Sequence, residues 1–327
     1  MKRLVIFAGY DKDNIIDDYV VYYIKELKKT ADIIYVSDCN ILDNEIKKIS
    51  NYCIHIINGR HEEYDFGSYK RGYLYAKENN ILNNYDCLIF CNDSCYGPFF
   101  ELKNIIDKMN NYDFGGLYIS KDLKIAEHDY ITSFFVFISK KIFNSDFFNN
   151  FINNIKKEED KIDIIKKYEF GLSKLMLDNN IKLEAVFNDK NEFNRPYFNP
   201  LSLVKEGFPF LKRHVIEKKI TVPLNIDELR DIIKTIKNNY DIKLIVNHLN
   251  RVADKNQIKY LFQKYKPYKK VFINEKIFSL TARYSPSGKY QKNYKLFGFI
   301  NIAIDKAINK SYIETHYTDF NFLLQNK

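Results

Sequence analysis

The sequence predicts an α/β protein: a mainly parallel sheet flanked by helices, followed by a smaller basic module. Short apolar runs alternate with segments of helical period through the first 200 residues, which is the pattern of βαβ units. A chain of 327 residues that is 46% hydrophobic and 16% aromatic has ample apolar surface for a large core. Finally, three of the apolar runs lead into polar knots, where open α/β sheets place their ligands.

Residues 4–8 read as the first strand. The Met1-Lys2-Arg3 ahead of them imitates a secretory start. The apolar stretch stops at Gly9-Tyr10-Asp11-Lys12-Asp13, however, too short and too acidic for a leader. Residues 15–29 follow as a helix with Ile15, Tyr19, Tyr22, Tyr23 and Leu27 on one side. A second strand at 33–36, a short helix at 43–49 and a third strand at 54–57 come next. Asp65 opens a helix to residue 77, and 88–90 form a fourth strand. A helix at 102–109, a strand at 134–138 and a helix at 164–177 complete this part. The last of these lines up Ile164, Ile165, Tyr168, Leu172, Leu175 and Met176.

Past Pro200 the pattern changes. Residues 207–213 read as a turn or linker closed by Pro223, with amphipathic helices at 226–236, 242–252 and near 257–265. The stretch from Val271 is rich in Phe, Ile, Tyr and Lys without clean periodicity. The expected division is a ligand-binding domain over 1–213 and a basic module over 214–327. Charge supports it: residues 1–200 hold 27 Lys+Arg against 31 Asp+Glu, and 201–327 hold 24 against 11. A basic module suits an anionic partner such as nucleic acid, a phospholipid surface or a phosphorylated lipid carrier, or is simply a solvated lysine-rich surface. Five cysteines and no apolar run of about 18 residues argue against a disulfide framework or a membrane span. The expectation is a cytoplasmic, reduced chain.

The knots carry the candidate chemistry. Strand one ends in Tyr10-Asp11-Lys12-Asp13, strand three feeds Asp65-Phe66-Gly67-Ser68-Tyr69-Lys70-Arg71-Gly72, and strand four runs into Asn92-Asp93-Ser94. Asp65 is placed to cap a helix whose amides favour negative charge. Gly67 would let a ligand approach the backbone, and Lys70 and Arg71 add cations one turn on. An ordinary capped helix with a solvated basic pair explains the same residues, and Gly72 suits helix–sheet packing. Asn92, Asp93 and Ser94 offer short oxygen-bearing side chains for a hard cation against a diphosphate, although one carboxylate among three is a sparse metal site. A polar turn closed by Gly97-Pro98 is the plainer account. Glu169, flanked by Tyr168 and Phe170, would gain proton affinity at a cleft edge and could act as a general base, unless it lies on the wet side of its helix.

Other patterns fail. Cys87, Cys91 and Cys95 recur every four residues, but on a strand that spacing sets them too far apart to share zinc. Asp11-Lys12-Asp13 begins like a calcium loop, yet Ile15 and Ile16 occupy the next liganding position and the required glycine. No P-loop, GxSxG or GxGxxG spacing occurs.

These blocks resemble, in order, those of the rhamnan synthesis protein F family, bacterial glycosyltransferases of cell-surface polysaccharides. The resemblance is carried by Leu4-Val5-Ile6-Phe7-Ala8 with Tyr10-Asp11-Lys12-Asp13 and Ile16-Asp17-Asp18-Tyr19, then Tyr64-Asp65-Phe66-Gly67-Ser68-Tyr69-Lys70, then Asn92-Asp93-Ser94-Cys95-Tyr96-Gly97-Pro98. Fainter echoes continue at Ser133-Phe134-Phe135, Tyr168-Glu169-Phe170 and Asn199-Pro200, so the likeness covers roughly residues 3–213. It implies a GT-A-type fold, a Rossmann-type sheet that binds a nucleotide-sugar donor, and transfer with inversion. Among GT-A enzymes more widely, a strand ends in Asp-x-Asp and an acidic residue later begins a helix. Asn92-Asp93-Ser94 stands at the first place and Glu169 at the second. Loss of both outer carboxylates leaves dependence on Mg²⁺ or Mn²⁺ open, with Asp93 the candidate ligand. His128 lies near a His-containing segment of the family.

The resulting expectation is an inverting glycosyltransferase. Tyr10, Asp11 and Asp65 would hold the nucleoside of a dTDP-, UDP- or GDP-sugar, with Gly67 letting the donor approach the backbone. Lys70, Arg71 and Asn92-Asp93-Ser94 would face the diphosphate, and Glu169 would be the base. Rhamnose is suggested by the family's name. The expected acceptor is a growing glycan on a lipid diphosphate, reached by peripheral contact of the basic module with the anionic inner membrane face. A capsule sugar-phosphate transferase would use the same cleft. A non-enzymatic anionic-ligand scaffold or nucleic-acid binder would leave the three knots without purpose.

Overall fold

The computed structural model describes residues 1–120, 128–189, 194–217 and 226–253, together with three strands between 278 and 306. The chain opens with β1 (Arg3–Gly9), α1 (Asp18–Lys28), β2 (Asp32–Ser37), α2 (Asp43–Ile46), β3 (His55–Asn58), α3 (Tyr64–Glu78) and β4 (Cys87–Asn92). A short β5 (Cys95–Tyr96) and α4 (Leu102–Lys108) lead to β6 (Phe114–Ser120), β7 (Tyr130–Ile131) and β8 (Phe135–Ser139). Next come α5 (Lys140–Phe143), α6 (Asp146–Asn153), α7 (Lys161–Ile164), a π-helical turn over Ile165–Phe170, α8 (Gly171–Asp178) and β9 (Leu183–Asn188). After α9 (Arg195–Phe198) and α10 (Pro200–Lys205) come β10 (Leu211–Lys212), α11 (His214–Glu217), α12 (Ile226–Ile236) and α13 (Lys243–Val252). Then β11 (Phe278–Tyr284), β12 (Tyr290–Leu296) and β13 (Ile300–Lys306) form an antiparallel sheet of their own.

The main sheet has the order β3-β2-β1-β4-β8-β6-β7, with β9 also paired to β6. Strands β1 to β4 are parallel, while β8 runs antiparallel to both β4 and β6. Hence β6 and its parallel partner β9 point the same way as the first four. The sheet is thus mostly parallel, with β7 and β8 running against the other strands and helices flanking it, the α/β arrangement that the sequence predicts.

Strand β1 is buried along its length because each face meets a different layer. Val5 and Phe7, with Ile33, Tyr35, Ile89 and Phe137, pack beneath α1 and α4. Leu4, Ile6 and Ala8, with Ile34, Val36, Leu88 and Phe90, pack beneath α3, α6 and α8. Gly72 lets α3 sit close on this second face: a Cβ there would come within 2.5 Å of Ile6, the helix–sheet role expected of it.

Two expectations need correction. Residues 207–213 are not a linker: Phe208, Phe210 and Leu211 are core residues, and Leu211–Lys212 pairs antiparallel with β5 through Leu211↔Tyr96 and Lys212↔Cys95. Asp65 does not cap α3; Glu63 holds that position and Asp65 lies in the first turn. Of the basic module, Leu229, Ile232, Ile236, Ile245 and Leu249 join the same core as β1, so α12 and α13 pack on the sheet's first face. The helix expected near 257–265 lies outside the described residues. Among the described residues no helix is long and apolar enough to cross a membrane.

Candidate active site

Strands β1 and β4 pair through Ala8↔Asn92, which sets the first and third knots side by side at the carboxyl edge of the sheet. The Asp93 amide donates to Ala8 O at 3.2 Å, and the Tyr10 amide donates to Asp93 Oδ2 at 2.9 Å. Tyr10 itself is 42% exposed, with the Arg60 guanidinium 5.2 Å from its ring centre. An exposed aromatic ring beside an arginine plane offers a stacking platform for a nucleobase.

The second knot joins through a side chain. Buried Asn92 donates from Nδ2 to Asp65 Oδ2 at 2.8 Å, while its Oδ1 accepts from Ser94 N at 3.1 Å and Ser94 Oγ at 2.6 Å. Glu169 enters from the π-helical turn, a local widening common at functional sites. Its Oε1 accepts from the Ser133 amide at 2.7 Å, and the same residue's carbonyl accepts from Tyr69 Oη at 3.0 Å. Burial raises the proton affinity of Glu169 and nearby Asp65 adds to it, while the Ser133 amide and Lys212 pull the other way. Asp65 thus links the two halves: it bonds Asn92 and acts electrostatically on Glu169.

The sequence reading missed Lys212 and Arg213. The β5–β10 pairing lays both along the Asn92-Asp93-Ser94 turn. Lys212 is only 9% exposed; its Nζ lies 3.1 Å from Ser94 Oγ and 3.9 Å from the centre of the Phe134 ring. Arg213 donates to Asp93 O at 3.2 Å and to Tyr19 Oη at 2.7 Å, and its guanidinium approaches the Asp93 carboxylate at 3.6 Å. The available signal was a Phe-x-Phe-Leu run ending in two cations.

Other expected residues stand elsewhere. Asp11 caps its own loop through Asp13 N at 2.9 Å and Ile15 N at 3.2 Å, and with Asp13 and Asp17 it surrounds Arg251 of α13. Lys70 reaches Asn153 O and Ile155 O at 3.1 and 2.6 Å, and Arg71 pairs with Glu63 at 2.8 Å, so both brace α3. The space beside Gly67 is taken by Glu63 and His61, where an added Cβ would come within 2.2 Å. That glycine admits the β3–α3 loop. Buried Asp38 fixes the same loop by accepting from His61 N at 2.8 Å and Glu62 N at 2.7 Å. Cys87, Cys91 and Cys95 are buried free thiols.

Among the described residues, no group of three His, Cys, Asp or Glu side chains converges as a metal site. At the turn, Asn92 Oδ1 is filled by Ser94 and the Asp93 carboxylate faces an amide and a guanidinium. These oxygens fit a divalent cation poorly, since such an ion needs several to converge.

Comparison with known proteins gives the following. The family model described as rhamnan synthesis protein F matches residues 33–283. An uncharacterized protein, y4gN of Sinorhizobium fredii, is 26% identical over 150 residues, which cover 45% of this chain and 39% of that protein. The virulence protein VirA of Vibrio anguillarum is 24% identical over 289 residues, 76% of this chain and 91% of VirA. Among solved structures, the mannosyltransferase Ktr4p of S. cerevisiae in complex with GDP is 7% identical at a TM-score of 0.36, covering 56% of this chain and 69% of its own. The glycosyltransferase GlyE of Streptococcus pneumoniae is 15% identical at a TM-score of 0.36, covering 76% and 63%.

Proposed function

We propose, starting from the fact that this chain belongs to the rhamnan synthesis protein F family, that it is a glycosyltransferase that moves a sugar from a nucleoside-diphosphate donor to a growing cell-surface glycan with inversion. The observation that carries this reading is the cluster at the carboxyl edge of the sheet. Asp65 bonds Asn92 and acts on Glu169, and Lys212 contacts Ser94 of the Asn92 turn and acts electrostatically on Glu169.

In this reading the Tyr10 ring and Arg60 receive the nucleobase, and the diphosphate lies along the turn 92–94. The acceptor hydroxyl approaches the anomeric carbon from the side opposite the diphosphate. Its oxygen forms the new bond to that carbon, its proton passes to Glu169, and the bond to the diphosphate oxygen breaks with its electron pair leaving on the nucleotide. Burial suits Glu169 to this work by lifting its proton affinity, and the Ser133 amide fixes one of its oxygens. The basic carboxyl-terminal region would meet an anionic lipid surface or a lipid-diphosphate acceptor.

Thermal unfolding with a panel of dTDP-, UDP- and GDP-sugars identifies the donor, because a ligand of the native state raises the melting temperature. The product's anomeric configuration, read by NMR, then tests inversion. Retention, or phosphorus in the product, would replace this reading with a double displacement or a sugar-phosphate transfer.

A further inference from the structure

Charge at the turn after β4 raises a separate question. A departing diphosphate needs a fixed positive partner in a site shielded from water. The oxygens of Asn92, Asp93 and Ser94 are arranged around one another, around backbone and around Arg213 instead of a common centre. The positive charge beside them is built into the chain. Lys212 is almost wholly buried, yet Ser94, the residue its ammonium contacts, is half-buried and so partly open to solvent.

A buried ammonium stays charged only where its surroundings hold it so. Burial works against the charge of Lys212, and nearby Cys95, Tyr197, Glu169 and Asp65 raise its proton affinity overall; at neutral pH the carboxylates of Glu169 and Asp65 do this, because burial keeps the Cys95 thiol and the Tyr197 phenol protonated. The Phe134 ring, 3.9 Å from Nζ, adds its negative face. One of the three ammonium hydrogens is accounted for by Ser94 Oγ. Strand pairing through Lys212↔Cys95 fixes the backbone, so the charge requires little reorganisation when a ligand arrives.

We propose that Lys212 is the cation that binds the donor's diphosphate and stabilises it as it leaves, in the place that a divalent metal would otherwise fill. The inference rests on the donor-binding reading above, and the test separates the two. Binding of UDP, dTDP and GDP, and of the corresponding nucleosides, is measured by calorimetry on the full chain in EDTA and in Mg²⁺. The variants are Lys212→Met and Lys212→Arg, each checked for folding by its unfolding transition.

The expected result is diphosphate binding by the unaltered chain that is equal in EDTA and Mg²⁺. It should fall roughly 10- to 100-fold in Lys212→Met, the scale of one charge-assisted hydrogen bond, and recover in part in Lys212→Arg. Nucleoside affinity should be the same in all three proteins. Diphosphate binding that appears only with Mg²⁺, or that survives Lys212→Met unchanged, overturns the role of Lys212 and leaves the donor reading standing. If no nucleoside diphosphate binds the unaltered chain in either condition, both fall. Should Lys212→Met not fold, Lys212→Gln takes its place: a roughly 10- to 100-fold loss of metal-free diphosphate affinity supports the inference, and unchanged affinity refutes it.

Discussion

Asp65 and Asn92, 27 residues apart, share a 2.8 Å hydrogen bond that ties the first turn of α3 to the end of β4. This bond makes one site of two sequence blocks, and it predicts the effect of Asp65→Asn. The charge-assisted interaction is lost and buried Asn92 keeps a weaker partner, a cost of about 1–3 kcal/mol. The melting temperature should drop by several degrees, with donor affinity reduced as well, as differential scanning fluorimetry and calorimetry would show.

Arg251 tests the link between α13 and the donor loop. Its guanidinium meets Asp11 and Asp17 at 2.5 Å and Asp13 at 2.9 Å. Removing it in Arg251→Ala leaves three carboxylates facing each other, and partial exposure limits the penalty to roughly 1–3 kcal/mol. Donor KM should rise while kcat changes little, because Tyr10 shares that loop and Glu169 does not. A variant with normal KM would detach α13 from donor binding.

Stability should fall on mild acidification. Burial, then Arg213, with a further push from Arg251 and against Glu217, drives the His248 imidazole down to about 4, and burial with Arg71 does the same to His61 against Asp38. A depressed histidine is neutral when folded and protonated when unfolded between its two values. The unfolded state therefore binds more protons from about 6.5 down to 4, and stability declines as pH falls through that window by up to roughly 3 kcal/mol per group. Urea midpoints at pH 7 and pH 4.5 should differ accordingly, and His248→Gln should shrink the difference by about half. An unchanged slope would mean that His248 titrates normally.

The fold was legible because its signals are local. Apolar runs marked β1, β2 and β4, and the period of 226–236 gave α12 with its observed bounds. Strand β6 escaped because Gly115 and Gly116 interrupt its apolar run; both are needed where a Cβ would come within 2.3 Å of Glu184 O or 2.5 Å of Ile131. Within the site, the turn at 92–94 and Glu169 stood out as polar residues in apolar surroundings. The partners that organise them did not, since Lys212 comes from a strand of two residues whose register only the tertiary fold defines. Lys70, Arg71 and Asp11 show the converse: charge beside a motif attracted attention, and geometry assigns it to bracing loops and helices.

The basic carboxyl-terminal region should carry the full chain to anionic membranes. Co-sedimentation with phosphatidylserine vesicles is expected at low salt and should weaken steeply as salt rises, each contacting Lys or Arg contributing about 1 kcal/mol. Equal binding to neutral vesicles would remove electrostatics from acceptor recruitment.

Glu169 provides the most direct test. Its raised proton affinity places the acidic limb of the rate profile above the ordinary carboxylate range, with activity increasing as pH rises and the base ionises. The same shift means that the folded state holds this proton longer than the unfolded one, so Glu169 itself favours folding less as pH climbs through that interval. The decisive measurement sets donor affinity by calorimetry beside turnover for Glu169→Gln. Intact donor binding with kcat reduced on the order of 10² to 10⁴ is the predicted result, and turnover at the unaltered rate would contradict the account.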